Sequence, residues 1–105
     1  TIFSSFDYAC LRRVRELAPE ARLGVIYDTS IEENPFRVAA EIEAVSLHVQ
    51  KELATREFLQ SGWELGLDAF VWTVNEVREM EAFASLGVQG IMSDFPERFW
   101  RLEKR

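Results

Sequence analysis

One cysteine, one histidine, three prolines and five glycines are spread through 105 residues, and no apolar run approaches the roughly 18 residues that a membrane helix needs. Each scarcity excludes something. A lone Cys10 permits no internal disulfide, and its place in an apolar helical stripe reads as core filling rather than as a nucleophile. Basic residues are outnumbered 12 to 18, and the net charge of -6 repels phosphate backbones and anionic membranes, so nucleic acid is not an expected partner. No signal-peptide pattern opens the chain, and a soluble, cytoplasmic protein is the expectation. The length allows one domain at most, with a modest core, and is short for a closed α/β architecture. The chain starts at Thr1 without a methionine and passes directly into a strand, so residues are expected to precede it.

What is present is alternation. Ile2-Phe3-Ser4 reads as a short strand, followed by a helix that Asp7 or Ser5 caps and Pro19 stops. Cys10, Leu11, Val14, Leu17 and Ala18 form the apolar face of that helix, with Arg12, Arg13, Arg15 and Glu16 turned elsewhere. LGVIY, ending at Tyr27, is a continuous apolar run of the kind buried on both faces of a parallel sheet. A polar loop over 28–35 leads to a short helix from Phe36 to about Ile42, then to a strand from Ala44 to Leu47 that ends at His48. Thr55 caps a helix running to Leu65, buried through Phe58, Leu59, Gly62 and Trp63 and ended by Gly66.

The stretch from Trp63 to Pro96 shows the pattern most plainly. Ala69 to Trp72 is a strand that runs into Thr73-Val74-Asn75-Glu76, with Asn75 as the expected cap of the next helix. Val77, Met80, Phe83 and Ala84 form the apolar side of that helix, and Gly87 closes it. Gly90 to Ser93 is a fifth strand, and Glu97 to Arg105 a final helix packed through Phe99, Trp100 and Leu102. Five strands separated by helices imply parallel strands with right-handed crossovers, either an open sheet or a closed barrel. In both, functional groups gather at the C-terminal strand ends.

At SSFD, LGVI, WTVN and GIMSDFP the chain resembles the glycerophosphodiester phosphodiesterase family. Ser4-Ser5-Phe6 is similar to that family's fourth barrel strand end, Leu23 to Ile26 to its fifth, and Ala44 to His48 to its sixth. Trp72 to Asn75 resembles its seventh-strand WTVN, and Gly90 to Pro96 its eighth-strand GIxTDxP, with Ser93 where threonine is commoner. The resemblance covers nearly the whole chain. It implies a partial (β/α)8 TIM barrel over residues 1–105, the last five strand-helix units of an α/β enzyme with parallel strands. Such an enzyme hydrolyses glycerophosphodiesters to an alcohol and glycerol 3-phosphate with a divalent metal, calcium or magnesium.

The family's HRG histidine, ExD pair, HD histidine and ExK strand belong to its first three strands, and none occurs here. No catalytic residue and no metal ligand is therefore assigned, no cofactor is expected for this segment alone, and the segment alone is expected to be inactive. Asp28 and Asp94 offer oxygen to a hard cation, but each starts a loop or helix, where aspartate caps. Trp72 is the first candidate for substrate contact, because an indole at a strand mouth gives a flat apolar wall for a glycerol or alkyl moiety. Phe6 with Ser5 would line the opposite wall, His48 would offer a ring nitrogen, and Asn75 would hold the loop beside Trp72. Val25, Leu47 and Val71 are expected to face the barrel and to be exposed in a five-stranded piece, which invites self-association or pairing with a missing N-terminal segment. A rival reading is a non-catalytic α/β interaction module that uses the open edges or the mouth. A third is a small open-sheet binding domain unrelated to the barrel.

Overall fold

The structure is a computed structural model and describes residues 2–95, so the expected helix over 97–105 lies outside the described residues. Its elements follow the sequence pattern closely, because the first three α-helices start at residues whose side chains satisfy the first free amides. Strand β1, Phe3–Ser5, leads to helix α1, Tyr8–Leu17, whose cap Asp7 accepts the amide of Cys10 at 3.0 Å. Strand β2, Leu23–Tyr27, is followed by α2, Pro35–Glu41, where Asn34 accepts from Phe36 and Arg37 and proline takes the first helical position. Strand β3, Ser46–Gln50, passes through a 3-10 turn, Lys51–Leu53, to α3, Arg56–Glu64, capped by Thr55. Strand β4, Asp68–Trp72, is joined by α4, Val77–Leu86, to the two-residue β5, Gly90–Ile91. Gly87 closes α4 at φ 94°, a left-handed conformation that a side chain would strain.

The strands pair in chain order, β1-β2-β3-β4-β5, and every pair is parallel. Both cores draw their strand residues from one face. Leu23, Val25 and Leu47 pack with Leu11, Val38 and Ile42 in the first, while Val49, Ala69 and Val71 pack with Leu59 and Met80 in the second. Val25, Leu47 and Val71 thus lie completely buried on the helix-covered face and not on the barrel-facing side where they were expected. The reason is the period of two: each lies one residue from a position on the other face, and an apolar run hides which alternate set meets the helices.

That other face holds Ser4, Gly24, Ile26, Ser46, His48, Phe70 and Trp72, and the sheet curls around it. Phe6 follows β1 and Trp72 ends β4, three strand spacings apart, which in a flat sheet is about 14 Å. Their rings nevertheless meet at a centroid distance of 6.0 Å. Only a strongly curled sheet brings the two strand ends together, and this inner face becomes the lining of a trough.

Other expectations are corrected in detail. Leu17 is 68% exposed, and Ala84 is exposed too, so the apolar faces of α1 and α4 are narrower than their sequences imply. Tyr8 takes the place expected of Leu17, buried with its hydroxyl donating to the carbonyl of Ile26 at 2.9 Å. Cys10 is half-buried beside this face. Arg15 turns inward at its tip, its guanidinium donating to the carbonyls of Pro19, Ala21 and Ile42. β3 begins and ends two residues later than expected, so His48 sits in mid-strand. Asn75 does not cap α4; Glu76 holds that position with no side-chain bond.

Candidate functional site

Ser4, Phe6, Ile26, His48, Trp72, Thr73 and Met92 line a cleft of about 240 Å³ at the C-terminal end of the inner face. Strand pairing places them. Ser4 pairs with Gly24, Ile26 with His48 and His48 with Phe70, so successive strands deliver alternate side chains into one trough. The Phe6 and Trp72 rings stand edge to face, 87° apart, across it. The Trp72-Thr73 peptide is cis.

His48 is buried and lies below these rings. Its Nε2 is 2.9 Å from Ser46 Oγ, and its ring stacks on Phe70 at 4.9 Å with an interplanar angle of 11°. Burial pushes its pKa below the ordinary histidine value, so the ring is neutral at pH 7. Nδ1 of His48 and Nε1 of Trp72 are buried polar atoms without a hydrogen-bond partner among the described residues. Such atoms carry a desolvation cost that a bound group would relieve.

Phe6, His48 and Trp72 are therefore brought together, and Ser5 and Asn75 are not. Ser5 points away from the cleft side of β1, and its Oγ accepts the amide of Asp7 at 2.9 Å. Asn75 ties the β4 loop to the β5 loop: its Oδ1 accepts from Ser93 Oγ at 3.1 Å and from the Asp94 amide at 2.9 Å, and its Nδ2 donates to Asp94 Oδ2. Ser4, Ile26, Thr73 and Met92 also line the cleft and were not singled out from the sequence. For Ser4 and Ile26 a signal existed, since both fall one residue before a strand end and on the same alternation as His48 and Trp72.

The acids at the mouth are engaged locally. Asp28 accepts the amide and hydroxyl of Ser30, which makes it a turn residue, and Asp94 is joined to Asn75. Among the described residues no three histidine, cysteine, aspartate or glutamate side chains are grouped to hold a metal ion. The side chains described do not fit a cation site. A second hollow, of about 440 Å³, lies on the far side of Phe6 beside Arg12 and the Ser30–Glu33 loop. There Arg12 is bound by Glu33 and Glu41 at 2.7 and 2.9 Å.

Residues 1–98 match the model of the glycerophosphoryl diester phosphodiesterase family. A glycerophosphodiester phosphodiesterase of Caldanaerobacter subterraneus is 34% identical over 104 residues, covering 99% of this chain and 42% of that protein. The glycerophosphodiester phosphodiesterase structure from Thermotoga maritima is 28% identical, with a TM-score of 0.75 over 96% of this chain and 46% of that one. An Oleispira antarctica phosphodiesterase, solved with its product sn-glycerol-3-phosphate, shares the fold at a TM-score of 0.86 and 19% identity, over 99% of this chain and 42% of that one. The chain thus spans less than half the length of these relatives, whose folds are TIM barrels.

Proposed function

Because the chain belongs to the glycerophosphoryl diester phosphodiesterase family, we propose that it forms the substrate-holding wall of a barrel that hydrolyses glycerophosphodiesters to an alcohol and glycerol 3-phosphate. The observation that carries this reading is the Phe6–Trp72 pair, two aromatic rings from strands three places apart, standing over a common cleft. An apolar cleft of this size suits the carbon skeleton of a glycerol or short alkyl moiety. Phe6 and Trp72 supply its sides and His48 its floor. Ser5 and Asn75 act one step back: Ser5 holds the turn into α1, and Asn75 holds the loop that follows Trp72.

Diester hydrolysis also needs a proton donor for the leaving alcohol and neutralisation of the phosphoryl oxygens. The one histidine here is neutral, buried and bonded to Ser46, and it cannot act as both acid and base. We assign the acid-base groups and the divalent metal, calcium or magnesium, to strands of the complete domain that this sequence does not include. On this reading the 105-residue chain alone is inactive, and it pairs through the open edges β1 and β5 with the remaining strands or, without them, with another copy.

The test is release of glycerol 3-phosphate from glycerophosphocholine by the 105-residue chain, with and without calcium or magnesium. No turnover is expected. Metal-dependent turnover that His48→Ala abolishes would overturn the assignment. In the complete domain, Trp72→Ala is expected to reduce kcat/KM about tenfold or more, as removal of a large aromatic contact commonly does. Unchanged kinetics would remove the cleft from the substrate path. The second reading, an interaction module, is favoured by the same two open edges. Solution scattering tests the pairing that both readings require, since a compact monomer at all concentrations contradicts either.

A further inference from the structure

Arg12 of α1 serves two glutamates of the next strand-helix unit. Its Nη2 donates to Glu33 Oε2 at 2.7 Å and its Nη1 to Glu33 Oε1 at 3.4 Å, while Nε and Nη2 donate to Glu41 Oε2 and Oε1 at 2.9 and 3.1 Å. The two carboxylates belong to different parts of the fold. Glu41 is the last residue of α2, and Glu33 lies in the loop before it, next to the cap Asn34. A planar fork of donors can hold both at once, so one guanidinium ties α1 to a helix and also to the loop over 28–34.

The tie to Glu33 is the one that opens at little cost. If Glu33 leaves, Arg12 keeps its bonds to Glu41 and its charge stays paired, and the Glu33 side chain, already 53% exposed, passes to water. The loop is also built to move as a piece. Asp28 accepts the amide and hydroxyl of Ser30, and the Ile31 amide donates to the Asp28 carbonyl at 3.2 Å, which folds 28–31 into one turn. Its link to the neighbouring strand is a long bond, from the Thr29 amide to Gln50 Oε1 at 3.3 Å.

The hollow of about 440 Å³ gives this turn somewhere to go. Ile31 lines it from the loop, and Phe6, Tyr8 and Ala9 line it from the turn into α1. Phe6 is 46% exposed and Ile31 half-buried, so bringing the loop onto Phe6 removes apolar surface of both from water. Two forces therefore oppose each other: apolar burial draws the loop inward, and the Arg12–Glu33 pair holds it back.

We propose that the loop over 28–34 is a lid with an ionic latch. With Arg12 and Glu33 joined, the lid stands off Phe6; with the pair undone, Ile31 crosses the hollow onto the outer side of the Phe6 ring. That ring also meets Trp72 over the cleft, so the lid sets how firmly one wall of the cleft is held. The consequence for substrate rests on the proposed function, whereas the lid itself does not. Salt screens the exposed pair and leaves apolar burial in place, so high ionic strength favours the closed lid.

The test uses the 105-residue protein, with the nuclear Overhauser contact between the Ile31 methyls and the Phe6 ring as the readout. In the native sequence this contact should be weak at about 10 mM sodium chloride and grow toward about 1 M, as the Debye length falls from about 30 to about 3 Å. Glu33→Gln undoes the latch and leaves Glu41 in place; the contact should be strong at low salt already. The ratio of closed to open lid should rise about two- to fivefold, the worth of one exposed ion pair. Glu41→Gln keeps the latch, and its lid should follow the native salt curve. The same contact in the native sequence and in Glu33→Gln at every salt concentration would overturn the proposal. So would Glu41→Gln acting as Glu33→Gln does, because Arg12 would then be a general brace between α1 and α2. Both glutamates are about half exposed, so neither change threatens the fold, and the salt series on the native sequence needs no substitution. No hydrolysis is measured: turnover by this chain alone would defeat the proposed function and leave the lid standing, and a loop indifferent to salt and to Glu33→Gln would do the reverse.

Discussion

The two faces of the sheet treat neighbouring residues differently. Leu47 and His48 are adjacent in β3 and both buried, yet Leu47 meets only helix and strand hydrocarbon, whereas His48 meets a serine hydroxyl, an aromatic face and a space held open by glycine. On the helix-covered face, burial is collective, and many side chains share the loss of any one. On the inner face, the fit is individual: Gly24, Ser46, His48, Phe70 and Gly90 each set the size allowed to the next. The first face stabilises the fold, and the second keeps a shaped, partly unsatisfied surface that a ligand or the rest of a barrel can complete.

Substitutions on the two faces should therefore differ in size and in kind. Leu47→Ala removes a fully buried side chain between α2 and the sheet, and the expected loss is about 2 to 5 kcal/mol in urea unfolding, enough to unfold much of the chain. A loss below about 1 kcal/mol would mean that the helices do not hold that face. Gly24→Ala adds one methyl on the inner face and should cost about 1 to 3 kcal/mol through overpacking against Ser46 and His48. Adding Ser46→Ala should recover part of that cost, because it removes the nearest atom. If the two changes are simply additive, the inner face yields like the helix-covered one and the distinction fails.

Much of the fold was legible because most helix ends announce themselves locally. Asp7, Asn34 and Thr55 cap where polar residues precede an apolar period, and Gly87 ends α4 where glycine alone is comfortable. Asn75 misled for a physical reason: its amide is equally suited to bridging two loops, and the partners that claim it, Ser93 and Asp94, come 18 and 19 residues later in the chain. The facing of LGVIY and AFVW was hidden because both alternate sets are apolar or aromatic, so only packing decides which meets the helices. Trp72 and Phe6 could be singled out one at a time as strand-end aromatics. Their meeting could not, because it depends on the curl of a sheet that local sequence does not encode. Ser46 and Gly24 were invisible as site residues for the same reason: a glycine and a serine acquire a role only once the register sets them against one histidine.

The smallest effect tests the inner face by pH. Burial lowers the pKa of His48 in the folded chain relative to the unfolded one, where it is near 6.5, so the unfolded state binds more protons as the solution becomes acidic. Stability is fully present above about pH 6.5 and declines as pH falls toward the folded-state value. The decline cannot exceed the slope of one proton, and carboxylates add their own dependence below about pH 5. Unfolding free energies measured between pH 7 and pH 5 should therefore fall in the native sequence and fall less in His48→Phe, which carries no histidine at all. Parallel pH profiles for the two proteins would mean that His48 takes up its proton in the folded state as readily as in water. The inner face would then be open to solvent at mid-strand, and the contrast with Leu47 one residue away would be lost.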